Sequence, residues 1–69
     1  MPGLLVGIQD LIFATRIQGA ARQAGVPVRC TATLDAFRQA VQDEPPALVL
    51  LDLSDPRCPA LDMLRALRE

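Results

Sequence analysis

Ala47-Leu48-Val49-Leu50-Leu51-Asp52-Leu53 is followed directly by Ser54-Asp55-Pro56. An unbroken apolar run this short reads as a strand buried on both faces, which is the habit of parallel sheets. Pro45 and Pro46 end whatever helix precedes it, and Pro56 and Pro59 mark the loop that follows. One carboxylate, Asp52, sits at the carboxyl end of the run. In an open α/β sheet that is the end where ligands bind. Burying an unpaired charge is costly, so Asp52 is expected at the strand's mouth, within reach of water, backbone amides or a cation. Two readings stand for it: a cap on the loop or a following helix, or the centre of a site.

Upstream, Leu4-Leu5-Val6-Gly7-Ile8 is a second short apolar run and a first strand, ended by Gln9-Asp10. From Leu11 the period changes, and Phe13, Ile17, Ala20, Ala21 and Ala24 fall on one face of a helix. Gly25 suits the left-handed residue just past that helix, and Pro27 follows shortly. Val26 to Cys30 reads as a brief second strand. Thr31 or Thr33 caps the next helix, with Asp35 in its first turn and Leu34, Phe37 and Val41 as its buried stripe. Asp43-Glu44-Pro45-Pro46 close it. Beyond the Pro-rich loop, Ala60, Leu61, Leu64 and Leu67 define a third helix, with Arg65 and Arg68 near its C-terminus, where cations suit the helix dipole. The order β-α-β-α-β-α predicts an α/β domain over residues 1–69 with a parallel sheet and right-handed crossovers.

Composition narrows the chemistry. A chain of 69 residues is one domain at most and buries only about 60% of its unfolded surface. Hydrophobic content of 51% is ample for a core, but the aromatics are only Phe13 and Phe37, so small aliphatics must fill it. A net charge of -1 argues against nucleic acid or an anionic membrane surface as partner. All seven basic residues are Arg, which removes imidazole bases and Schiff-base lysines from the repertoire. Cys30 and Cys58 are too few for a disulfide scaffold and form no Cys-x-x-Cys pair. No apolar run approaches the roughly 18 residues that span a bilayer, and the opening Met-Pro-Gly carries no basic stretch. The expectation is a reduced, cytoplasmic protein.

The segment Leu48-Val49-Leu50-Leu51-Asp52-Leu53-Ser54-Asp55-Pro56, running into Leu61-Asp62-Met63-Leu64-Arg65-Ala66-Leu67-Arg68, resembles the centre of response-regulator receiver domains. Asp52 and Pro56 keep that family's spacing between phosphoacceptor and proline. Gln9-Asp10, the Ala24-Gly25-Val26-Pro27-Val28 entry to the second strand, and Pro45-Pro46 also align. The resemblance covers the first three βα units of a five-unit fold. It implies a flavodoxin-like (CheY-like) three-layer sheet truncated to (βα)3, strand order 2-1-3, and Asp52 as candidate phosphoacceptor. It further implies a degenerate Mg²⁺ site from Asp10, Asp52 and the backbone carbonyl of Ser54.

The departures matter as much. Gln9 stands where a second acid is expected, and Ala60 where the family has Gly. The hydroxyl after the fourth strand and the Lys after the fifth have no counterpart here. Asp52 is thus expected to feel chiefly desolvation and repulsion from Asp10. The expected function is that of a pseudo-receiver: a non-enzymatic regulatory or protein-interaction domain in signal transduction, not phosphorylated and needing no cofactor. The alternatives are a small stand-alone self-associating α/β protein and a truncated active receiver that takes phosphate on Asp52 from a histidine kinase. A homodimer, or a partner protein on the open third-strand edge, is expected. With order 2-1-3, Cys30 and Cys58 lie about 10 Å apart, beyond disulfide reach. Arg22, Arg29 and Arg38 read as a solvated surface, and Gly7 as room for a closely packed helix.

Overall fold

The computed structural model describes residues 3–68, so the extreme ends of the 1–69 domain lie outside the described residues. Six elements follow one another: β1 (Leu4–Gly7), α1 (Leu11–Gln23), β2 (Val28–Thr31), α2 (Leu34–Asp43), β3 (Leu48–Leu51) and α3 (Ala60–Ala66). The strands form one parallel sheet in the order β2-β1-β3, with Leu4 beside Val28 on one side and Leu48 on the other. The chain steps one way from β1 to β2, then back past β1 to β3. Two crossovers of the same hand must therefore put their helices on opposite faces, and they do. The Ala14 and Ile17 side of α1 packs on Leu4, Val6, Ile8, Val28 and Cys30. On the other face α2 and α3 share a core of Leu5, Phe37, Cys58, Ala60, Met63 and Ala66. Phe37, Leu5, Met63 and Val6 are the largest wholly buried side chains.

Local chemistry explains the boundaries. Gly25 has φ 72°, the left-handed conformation that glycine adopts without steric cost. The Gly25 amide donates to Arg22 O at 3.1 Å and the Val26 amide to Ala21 O at 2.8 Å, the paired bonds of a Schellman stop. Val26 thereby spends its N–H on α1, and β2 begins at Val28, two residues later than expected. Thr31 belongs to β2, its hydroxyl donating to Val6 O at 3.0 Å. The α2 cap is accordingly Thr33, which accepts from the Ala36 amide. Arg29 lies on no solvated patch. From β2 its guanidinium donates to Ala40 O at 2.7 Å and Glu44 O at 2.6 Å, satisfying carbonyls at the α2 C-terminus.

Three further sequence expectations need correction. The buried line of α1 is Ala14, Ile17 and Ala21, while Phe13, Ala20 and Ala24 are exposed, because the helix lies over β1 and β2 and leaves one flank uncovered. In α3 the inward line is Ala60, Met63 and Ala66, and Leu61 and Leu64 face outward. The reason is close approach: a Cβ on Gly7 would stand 2.5 Å from Met63 Sδ and 2.8 Å from Leu51 Cδ2. Gly7 does admit a helix at short range, and only small or pliable side chains fit against it. Last, β3 is an edge rather than a strand buried on both faces. Val49 and Leu51 pack on the α2–α3 core, whereas Leu48 is 65% exposed and Leu50 38%. No helix among the described residues is long and apolar enough to cross a membrane.

Candidate functional site

The carboxyl ends of β1 and β3 open into a cleft of about 490 Å³. Ile8, Phe13 and Leu50 give it an apolar wall. Its polar groups are Asp10, Asp52, Ser54, Asp55 and Arg57. The topology thus brings together the two carboxylates singled out from the sequence, and each is held by its own stretch of backbone.

Asp10 is the N-cap of α1: Oδ1 accepts from the Ile12 amide at 2.9 Å and the Phe13 amide at 3.2 Å. Such a cap contributes about 1 kcal/mol to its helix. Asp52 closes a turn of the same chemistry, Oδ1 accepting from the Ser54 hydroxyl at 2.7 Å and the Ser54 amide at 2.9 Å. The hydroxyl first, then the amide, hold the Asp52 carboxyl below the usual carboxylate range. This corrects the expectation of a carboxylate governed by desolvation and by Asp10. Burial raises its pKa less than Ser54 lowers it, and the small repulsion it meets comes from Asp55. Ser54 meets Asp52 as a donor, a role the sequence reading did not give it.

Asp55 and Arg57 complete the cleft. Arg57 Nε and its amide donate to Asp55 Oδ1 at 3.1 Å and 2.9 Å, and Nη2 to Oδ2 at 2.8 Å. These bonds hold Asp55 below the ordinary range, the guanidinium contributing most. The Arg57 pKa rises in turn, chiefly through the Asp55 hydrogen bonds, with a smaller pull from Asp10. Sequence reasoning passed over Arg57. Its only signal was the Asp55-x-Arg57 spacing inside a proline-bounded loop, where a two-residue separation lets a guanidinium reach back to the carboxylate. Cys58, just beyond, donates from Sγ to Gly7 O at 3.3 Å, and burial pushes its thiol up. Cys30 sits on the α1 face and Cys58 on the α2–α3 face, both as free thiols.

Divalent magnesium asks for several free oxygen ligands in near-octahedral array. Here Asp10 and Asp52 each accept their two local donors on Oδ1 alone, while the Arg57 guanidinium engages both oxygens of Asp55. Among the described residues no group of three His, Cys, Asp or Glu side chains could hold a metal ion. Asp10, Asp52 and the Ser54 carbonyl are the groups that would hold Mg²⁺ here, with water completing its shell. Compared with protein-family models, curated proteins and solved structures, the chain matches none.

The two depressed carboxyls set a pH dependence. A folded-state pKa below the unfolded value contributes stability that is complete above about pH 3.9 and disappears as pH falls through the folded value. The urea midpoint is therefore expected to be flat from neutrality to about pH 5 and to fall below about pH 4. An Asp52→Asn, Asp55→Asn double variant should show a shallower acid limb. Equal limbs in the two proteins would locate the acid sensitivity elsewhere.

Proposed function

We propose that this chain is a receiver-like domain of flavodoxin-like layout. It serves a cytoplasmic signal-transduction protein as a phosphorylation-independent regulatory and interaction module, without enzymatic activity. The observation that carries this reading is the state of Asp52. It occupies the carboxyl end of β3 beside Asp10, as in a phosphoacceptor pocket, but its Oδ1 is tied to both donors of Ser54. Gln9 replaces an acid at the end of β1, and the cleft's cation, Arg57, is engaged by Asp55. A carboxylate needs a bound metal and a free oxygen to attack a phosphoryl group. In this cleft the bonds of Asp52 Oδ1 to Ser54, and of Asp55 to Arg57, serve to shape the loop joining β3 to α3. Its value to the protein is a fixed surface.

Incubation with acetyl phosphate and Mg²⁺, read by intact-mass spectrometry, tests the reading. The mass is expected to stay unchanged. A phosphate-sized gain that disappears in Asp52→Asn would overturn it and make the chain an active receiver, with a histidine kinase as its natural donor.

A further inference from the structure

We propose that the partner of the interaction module is a second copy of this chain, added antiparallel to β3 so that two three-stranded sheets join into one of six. The naming of the module rests on the reading above, while the pairing rests on the edge itself. In a parallel ladder alternate residues turn both backbone groups toward the neighbour. Leu48 and Asp52 donate to Gly3 O and Gly7 O, which points the even-numbered residues at β1. The N–H and C=O of Val49 and Leu51 therefore face outward. A two-fold axis passing beside Leu50 sets Val49 opposite Leu51 of the second copy, and Leu51 opposite its Val49. In that register all four pairs of outward groups meet. A register one residue shorter would call on Ala47, whose N–H is already committed to Gly3 O at 2.9 Å.

The side chains agree with the backbone. Leu48 and Leu50 stand exposed on the α1 face. Leu48 continues into an apolar groove with Leu4, Ile17 and Val26 that contains no charged residue. Natural edge strands are commonly guarded by a charge or a proline. Pro45, Pro46 and Pro56 all lie outside 48–51, and the edge itself carries neither guard. Area points the same way. The chain exposes 4781 Å², where a folded monomer of 7.5 kDa exposes roughly 4,200 Å². The surplus is several hundred Å² over the whole surface, and pairing at β3 would cover part of it. A neutral, apolar, self-complementary edge fits its own copy better than a charged partner.

Sedimentation and light scattering of the 69-residue chain at micromolar concentration test this. The expected mass is twice 7.5 kDa. Leu50→Lys should return it to that of one chain, and Leu61→Lys, on the outer side of α3, should leave the dimer intact. In hydrogen exchange, the Val49 and Leu51 amides of the unaltered chain should gain protection as concentration rises, a readout that needs no variant to fold. A cooperatively melting single-chain species, loss of the dimer in Leu61→Lys but not Leu50→Lys, or concentration-independent exchange at both amides would each overturn the pairing. The phosphate-transfer assay above reports separately: a phosphorylated dimer sinks the functional reading alone, and an unphosphorylated monomer sinks this pairing alone.

Discussion

Phe37→Ala is expected to leave the chain largely unfolded at room temperature. Phe37 is 0% exposed and lies within the cluster that joins α2 to β1 and α3. Truncating a buried Phe costs about 3–5 kcal/mol, the transfer loss and the cavity together. A domain of 69 residues has roughly 3–10 kcal/mol in total. The aromatic supply makes the site unforgiving, because Phe13, the other aromatic, is 54% exposed in the cleft and contributes nothing to this core. Far-ultraviolet circular dichroism and urea titration would show the collapse. Leu61→Ala, at a position 63% exposed, should shift the unfolding free energy by no more than about 0.5 kcal/mol. Comparable effects at the two sites would mean that the α2–α3 core is not where the stability lies.

Gly7→Val is expected to destabilise by about 1–3 kcal/mol, and the loss should shrink when Met63 is also shortened to Ala. The first added carbon already stands 2.5 Å from Met63 Sδ and 2.8 Å from Leu51 Cδ2. Both neighbours are pliable side chains, so the strand can keep its place while they move, but Met63 is 0% exposed and has no empty space to enter. Removing its thioether makes that space. A double-mutant cycle in urea measures the coupling, and additive losses would show that the crowding is relieved elsewhere.

Signals carried by backbone chemistry were legible in the sequence. Gly25 with Pro27 stops α1, a threonine just before Asp35 (Thr31 or Thr33) starts α2, and Asp52 lies at the mouth of the cleft, as its residue type and place in an apolar run required. Signals that depend on what packs opposite were not. Periodicity offers two apolar lines on α3, and the leucine line is the more hydrophobic. Contact with Gly7 selects the Ala60–Met63–Ala66 line instead, a choice that only the facing strand can impose. β3 reads as buried on both sides because its composition is uniform, yet α1 packs mainly on β1 and β2 and leaves Leu48 and Leu50 exposed. Arg57 was missed for another reason. A guanidinium folded back on a carboxylate two residues away leaves no periodic trace, and charge counting treats the two as unrelated surface groups.

The sheet order has a consequence for how the chain is made. β1 is the central strand, and its partners are β2, whose Val28 meets Leu4, and β3, whose Leu48 meets the same residue. A ribosome therefore delivers the middle of the sheet first and the last of its neighbours some forty residues later. Until then Leu5 and Val6, both fully buried in the finished domain, have at most one strand beside them. Pairings this distant must close long loops before they return any stabilisation, which slows folding relative to local contacts. The nascent protein thus passes through a stage in which its central strand awaits its second neighbour, and a ribosome-bound chaperone would meet Leu4–Gly7 during that interval.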